Sequence, residues 1–396
     1  MTRVLVTGLG VISAIGKDLR ENMASLRGGK HGIGPVVHFH TELGFPAGEV
    51  KRDNSDLKGM LGIAPGRTVS RTALLGLAAA SEAVADASAD MQPWQRVGLV
   101  SATSVGGMDL TECFYEDFRE NPGRGRLRDV AMHDCAASTE FIADALGIKG
   151  FVTTVSTACS SAGNALMLGA RMIRHGLLDT VIAGGTDALC RFTLNGFNSL
   201  KILDTGHSRP MSADRNGLNL GEGAGFLVLQ SERAARRTPY CELRGFANVN
   251  EAYHQTGSSP EGDGAYMSMT EAMRDAGIAP DEVDYINVHG TGTFQNDLSE
   301  SVAMRRIFGD KVPMFSSVKP FVGHTLGASE GIEAVYSAMS VAEGTVYPNL
   351  NFTSAIPETG LVPVLSWKDS LGIRNVLSNS FGFGGNNSTL VFSRCR

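Results

Sequence analysis

No stretch of this 396-residue chain approaches the roughly 18 uninterrupted apolar residues that cross a bilayer, which argues against a membrane span. Charge is scarce too. Asp, Glu, Lys and Arg make up 19% of the residues and the formal net charge is −6, against a usual charged share of about 25%. An acidic balance argues against nucleic acid as the main partner, because phosphate binding needs a basic surface. The six cysteines, at 113, 135, 159, 190, 241 and 395, form no CxxC and no Cys/His spacing for zinc. They read as reduced thiols of a cytoplasmic protein. Nucleotide signatures are missing as well: Gly8-Leu9-Gly10 lacks the third glycine and later acid of a dinucleotide fingerprint. There is no GxxxxGK loop, GxSxG elbow or HExxH helix, and His38 and His40 have no third ligand for a metal.

Apolar residues, by contrast, make up 42%, and there are 48 glycines. Such a chain can bury a large core, bring backbones into close contact and form large interfaces. Its start, MTRVLVTGLGVISAIG, has one basic residue, alternates like a strand and carries no clear cleavage site, so it reads as a core strand rather than a signal peptide. Short apolar or β-branched runs predict buried strands at Val4–Thr7, Val97–Ser101, Val152–Val155, Val181–Ala183, Phe226–Leu229, Tyr285–Val288 and Thr389–Ser393. Helical patterns cover Thr72–Ala87, Ser161–His175, Met267–Ala276 and Ser329–Glu343, making an α/β chain. A soft boundary falls near the strand-like run Cys241–Asn248, giving halves 1–245 and 246–396. No sequence repeat relates them.

Cys159 follows the strand Val152–Val155 and precedes a helix, with small residues all round it. At a helix N-terminus the free N–H groups and the dipole favour a thiolate, which predicts a lowered thiol pKa. The same N–H groups can hold an oxyanion. A buried cysteine acting as a small hydrophobe is the equally weighted alternative. His289 ends the strand Tyr285–Val288 and opens Gly290-Thr291-Gly292-Thr293; His324 sits in SSVKPFVGHTLGA, just before a helix. Glycines beside each allow close backbone approach, and two imidazole N–H donors converging on a thioester oxygen would stabilise an enolate. Either histidine alone reads better as satisfying a local backbone hydrogen bond; the two together, with the upstream cysteine, favour chemistry. Lys319 reads as able to hold a histidine or carboxylate, or simply as solvated. On the helix 329–343, Ile332, Val335, Tyr336 and Met339 form the apolar stripe, so periodicity places Glu330, Glu333, Ser337 and Ser340 on a polar surface. The closing SNSFGFGGNN puts Phe381 and Phe383 among glycines, where a phenylalanine could swing as a gate or the segment could simply be a tight turn with two core aromatics.

Taken in order, the segments VTGLGVISAIG, VSTACSSAGNAL, SRPMSADRNGLNLGEGAG, NVHGTGT, SSVKPFVGHTLGA and SNSFGFGGNNSTLVF resemble the β-ketoacyl-acyl-carrier-protein synthases of the thiolase superfamily, in their elongating, decarboxylating branch. The resemblance runs over nearly the whole chain. It implies a duplicated five-layer αβαβα sandwich, usually a homodimer, that needs no cofactor. It implies Cys159 as acyl acceptor, His289 and His324 as the pair polarising a malonyl thioester, and Lys319 as an ordering lysine. Glu333 is then a buried glutamate, against the surface reading above. Phe383 becomes the mobile gate, its N–H completing an oxyanion hole with that of Cys159, and Phe381 its neighbour. Asn287, Glu333 and Ser378 align with a monovalent-cation site of some relatives. The partner would be an acidic acyl carrier protein, docking on Arg67, Arg71 and Lys201.

Three departures stand out. Glu330 occupies a position where relatives have a small residue, Met211-Ser212 replaces an aromatic-acid pair, and the stretch 105–150 is shortened. The expected reaction is decarboxylative condensation in fatty-acid-type elongation. A thiolase is set aside because the late CxGGG motif reads FGFGG here, and an initiating synthase because His324 is not Asn. The catalytic half of a heterodimer making a polyketide or aryl polyene stays open. A non-catalytic chain-length subunit is disfavoured by Cys159.

Overall fold

Apolar runs bounded by glycine and polar residues become ten strands in the structure, a computed structural model that describes residues 2–88 and 96–395. They are β1 (Leu5–Ser13), β2 (Val97–Ala102), β3 (Phe151–Val155), β4 (Thr180–Asp187), β5 (Gly223–Gln230), β6 (Cys241–Asn250), β7 (Tyr285–Asn287), β8 (Met314–Ser316), β9 (Asn375–Gly382) and β10 (Asn386–Ser393). All hydrogen-bond into one sheet, in the order β3-β2-β4-β5-β1-β6-β10-β9-β7-β8. Counted outward from the β1/β6 seam, each half runs first, fifth, fourth, second, third strand of its own. The directions match as well: β1–β5 and β5–β4 are antiparallel while β4–β2 and β2–β3 are parallel. In the second half β6–β10 and β10–β9 are antiparallel, β9–β7 and β7–β8 parallel. The chain is thus a structural duplication that its sequence does not display. The seam is thin, pairing only Leu5 with Glu242 and Val6 with Cys241. Since the repeat restarts with β6, residue 245 falls inside its first strand.

Eleven α-helices occur among the described residues: α1 (Leu19–Arg27), α2 (Asn54–Met60), α3 (Arg71–Ala87), α4 (Met108–Glu120), α5 (Cys135–Leu146), α6 (Ser161–Arg174), α7 (Arg191–Ser199), α8 (Asp263–Ala276), α9 (Phe294–Phe308), α10 (Lys319–Val322) and α11 (Ser329–Glu343). They complete five layers. One outer layer is α3 with α5, packed on the first half-sheet around Leu74, Leu77, Ile142 and Ile182. The other is α8 with α9, around Met269, Met273, Met304 and Leu377. Between the half-sheets lie α6 and α11, which touch each other, α11 reaching both β5 and β9.

The glycine pair Gly8 and Gly10 has a packing purpose. A Cβ at either would lie 2.2 or 2.0 Å from the carbonyl oxygens of Ala83 or Ala79, so these glycines let the alanine-rich α3 lie against β1. β2 and β4 are buried along their whole length, as helix-covered parallel strands require. β3, at the sheet edge, is only half-buried, and Phe151 is 37% exposed. No helix among the described residues is long and apolar enough to cross a membrane.

Candidate active site

Cys159 lies between β3 and α6, on a turn held by its own polar residues: Ser161 Oγ accepts from Thr157 N at 2.8 Å and donates to Ala158 O at 2.5 Å. Ala158, just before the cysteine, has φ +54°, a left-handed conformation costly for a residue with a Cβ. The thiol is buried. Burial pushes it up to about 11, offset in part by Lys319 and by the backbone N–H groups of Phe383 and of Cys159 itself. This corrects the expectation of a lowered thiol pKa: with the sulfur buried, desolvation of the anion outweighs the helix start.

Both histidines arrive at the sulfur. One ring nitrogen of each and Cys159 Sγ all lie within 4.8 Å of one another, and His324 Nε2 is 3.1 Å from Sγ. The imidazoles meet edge-to-face, centroids 5.4 Å apart. Their neighbours settle which nitrogen carries the proton. Leu326 N–H donates to His324 Nδ1 at 3.2 Å, so the His324 proton is on Nε2. Lys319 Nζ reaches His289 Nδ1 at 3.2 Å, His289 O at 2.6 Å and Glu333 Oε1 at 2.5 Å. An ammonium with three hydrogens is a donor to all three, leaving the His289 proton on Nε2 as well. Burial first, and Lys319 second, hold both imidazoles well below 6.5, hence neutral. A thiol with two imidazoles resembles a zinc donor set, but coordination through Nε2 would move a proton onto His289 Nδ1, facing the ammonium.

Lys319 and Glu333 are therefore interior residues, each with 2% of its side chain exposed. The surface reading of Glu333 fails because α11 lies in the middle layer: Glu330, Glu333, Ser337 and Ser340 are all buried. Burial raises the Glu333 carboxyl to about 7, against the pull of Lys319. Asn287 donates to Ser378 Oγ at 3.3 Å and to Glu333 O at 3.5 Å. Among the described residues Asn287 Oδ1 and Glu333 Oε2 are buried with no hydrogen-bond partner, oxygen donors of the kind that suit a hard monovalent cation.

Phe381 packs against His289, centroids 5.8 Å apart; Phe383 stacks on Phe197, which meets His324 edge-on. Gly384 and Gly385, with φ +79° and +80°, give the Phe383 segment a turn that residues with a Cβ resist. Cys159, both histidines and both phenylalanines line a cavity of about 560 Å³.

The docking trio divides. Lys201 is exposed and lines the cavity. Arg67 is exposed with its guanidinium 4.8 Å from the Phe141 ring centre. Arg71 is a correction: it is 4% exposed and donates to both oxygens of buried Glu222, at 2.6 to 3.0 Å, and to Asn54 Oδ1. A guanidinium engaged with an internal carboxylate offers a partner no charge.

Three carboxylates that clamp the site went unrecognised in the sequence. Asp297 and Glu300, three apart on one face of α9, turn back on the loop before it. Glu300 accepts from the N–H groups of His289 and Gly290, both at 2.9 Å, and Asp297 from those of Thr291, Gly292 and Met211. Asp187, at the end of β4, accepts from Thr103 Oγ1, Ser104 N, Val105 N and Gly327 N, tying the loop after His324 to the loop after β2. A readable signal was present for Asp297, which with Asn296 closely follows the glycine-rich NVHGTGT.

Comparison with known proteins identifies the family. Residues 1–235 match the β-ketoacyl synthase N-terminal domain and residues 240–353 its C-terminal domain. The chain belongs to the β-ketoacyl synthase family. As such it is an enzyme of the acyltransferase class. It is similar to 3-oxoacyl-acyl-carrier-protein synthase 2 of Staphylococcus aureus (strain COL), 34% identical over 408 residues, covering 99% of this chain and 98% of that one. Among solved structures it resembles the ishigamide ketosynthase/chain length factor, with a TM-score of 0.95 and 30% identity over the whole of both chains. It also resembles a type II PKS ketosynthase in complex with its acyl-carrier protein and bound to the hexaketide, with a TM-score of 0.91 and 28% identity over the whole of both chains.

Proposed function

We propose that this β-ketoacyl synthase performs decarboxylative condensation, with Cys159 as the acyl acceptor and malonyl-carrier as the extender. The observation that carries this reading is the convergence of one thiol and two Nε2–H donors in a single buried pocket. In the first half-reaction the Cys159 sulfur attacks the carbonyl of an acyl-carrier thioester; the tetrahedral oxyanion is held by the N–H groups of Cys159 and Phe383, and the carrier thiol leaves with the proton. Because the thiol rests protonated, its ionisation coincides with attack, and His324 Nε2–H, 3.1 Å away, stabilises the sulfur as charge develops. In the second half-reaction a malonyl-carrier thioester places its carbonyl oxygen between the two imidazoles. The carboxyl–carbon bond breaks, CO₂ leaves, and the electron pair becomes an enolate neutralised by two donors. Its carbon attacks the acyl-cysteine, releasing a 3-oxoacyl-carrier and the Cys159 thiolate, which takes up a proton. Neutral donors suit this step, since an imidazolium would give its proton to the enolate and quench it.

Phe383, stacked on Phe197, gates the pocket. The carrier is an acidic protein that docks against Lys201 and Arg67. The test is intact-mass analysis after incubation with loaded carriers of different acyl chains. One acyl adduct should appear on the native chain and none on Cys159→Ala; an adduct that survives Cys159→Ala refutes the assignment.

A second reading concerns subunit partners, and α4 favours it. None of its residues is buried, and Tyr115, Phe118, Leu127 and Phe151 are 59%, 42%, 80% and 37% exposed. Exposed large apolar side chains on and near this helix call for a protein partner. The likeness to a ketosynthase/chain length factor supports a related, cysteine-less subunit there, and hence a polyketide or polyene product, over a homodimer elongating fatty acids. Co-expression decides between them: a stoichiometric heterodimer supports the chain-length partner, and a stable, active homodimer refutes it.

A further inference from the structure

Glu330 stands apart from every group used so far. It begins α11 next to the buried Lys319–Glu333 pair, yet makes no bond to either. It is fully buried, and it fills room left by a missing side chain: a Cβ on Gly163 of α6 would lie 1.8 Å from Glu330 Oε2. Among the described residues its one polar partner is the hydroxyl of Ser388 on β10, while Oε1 has none. Ser388 Oγ also lies 3.0 Å from the carbonyl oxygen of Ser380, the residue opposite it on β9. Ser380 Oγ in turn donates to the carbonyl oxygen of Cys159 at 2.9 Å.

Proton bookkeeping gives this chain a direction. Ser388 has one hydroxyl proton and two oxygen neighbours. If that proton goes to Ser380 O, which cannot donate, the proton between Ser388 and Glu330 must come from the carboxyl. An ionised Glu330 would leave Ser388 with one proton for two acceptors and a buried carboxylate otherwise bare, a costly arrangement. Burial acts the same way, holding the carboxyl well above its usual range.

We propose that Glu330 is a positioning residue that works as a neutral acid: its Oε2–H donates to Ser388 Oγ, Ser388 donates to Ser380 O, and Ser380 Oγ–H fixes the carbonyl of the nucleophile. The relay joins the β9–β10 hairpin to the Cys159 turn. That hairpin carries Phe383, so the two N–H groups that address the sulfur are held in mutual register from behind. The close approach of Gly382, whose Cβ would lie 3.2 Å from Cys159 N, shows how little slack the register has. This inference rests on Cys159 being the acyl acceptor.

The experiment compares the rate of Cys159 acylation by an acyl-carrier thioester, per folded site, in the native chain, Glu330→Gln, Glu330→Ala and Ser388→Ala, with melting temperatures measured alongside. Glu330→Gln keeps a donor for Ser388 and should stay within about threefold of native. Glu330→Ala and Ser388→Ala should each slow acylation by about tenfold, the scale of one broken buried hydrogen bond, and together should slow it no more than either alone. Ser388→Ala is a small change and remains readable if Glu330→Ala misfolds. Infrared spectra should show a protonated carboxyl band that Glu330→Gln removes. The proposal is overturned if the alanine variants melt earlier yet acylate at the native rate, or if Glu330→Gln is as slow as Glu330→Ala. A native chain that takes no acyl group on Cys159 sinks the proposed function itself, a separate result.

Discussion

Removing Lys319 and Glu333 one at a time, and then together, separates what this pair does for folding from what it does for chemistry. Both side chains are 2% exposed. Replacing Glu333 with Leu strands an ammonium in the interior, and breaking a buried pair this way costs about 3–5 kcal/mol. For a chain of this size that is a fall in melting temperature of about 4–6 °C. Replacing Lys319 with Met should cost less. Burial already holds the Glu333 carboxyl at about 7, so it can shed its charge by taking up a proton. What remains is the His289 carbonyl without its donor, about 1–3 kcal/mol. The double variant, apolar on both sides, should be more stable than Glu333→Leu alone. Activity should follow a different order. Lys319→Met frees His289 Nδ1 and lets the ring proton leave Nε2, which should lower condensation by about 10²-fold; the double variant should be equally inactive although it melts later than Glu333→Leu. Differential scanning fluorimetry and a malonyl-carrier decarboxylation assay read the two quantities. Stability losses that simply add in the double variant, or full decarboxylation by Lys319→Met, would refute the reasoning.

Other expectations are more local. Asp187→Asn turns an amide donor toward several N–H and O–H donors, and should lower stability in urea by about 1–3 kcal/mol while disturbing the His324 loop; an unchanged midpoint would contradict it. Both pocket histidines, His289 and His324, are held well below 6.5, so the folded chain binds fewer protons there than the unfolded chain. Their contribution to stability should therefore be present above about 6.5 and lost as pH falls below it. Replacing both with Asn should flatten that acid limb of the urea midpoint. Gly163→Ala should destabilise the chain by driving a methyl into the Glu330 carboxyl, and Glu330→Ala should relieve it; a double variant no better than Gly163→Ala would oppose the packing argument. Reversing the charge of Lys201 should weaken carrier binding, measured by titration, whereas Arg71→Glu should instead unfold the region around Glu222.

The order of motifs made the Cys159 turn, the two histidine loops and the phenylalanine segment legible, because glycines and small residues at strand ends are needed wherever side chains must meet a substrate. Periodicity failed where the fold removes solvent from both sides of an element. A 3.6-residue pattern identifies a polar face and assigns it to water, but α11 lies between two half-sheets, and its polar face looks onto a buried ammonium and onto β10. Arg71 misled for the same reason: a guanidinium at the start of an apolar helix reads as surface charge until the distant Glu222, some 150 positions on, is brought against it. The duplicated topology was hidden because repeated strand order needs only repeated burial, which many sequences satisfy. Desolvation, in turn, is a property of the assembled layers and of no single segment. It keeps both imidazoles neutral, pushes the Cys159 thiol up to about 11 and leaves Glu330 protonated, reversing what the helix start alone suggested for the sulfur. In the proposed reaction, a buried thiol that rests protonated is slow to react with adventitious electrophiles, and becomes a nucleophile when a thioester occupies the two N–H groups and the charge has somewhere to go.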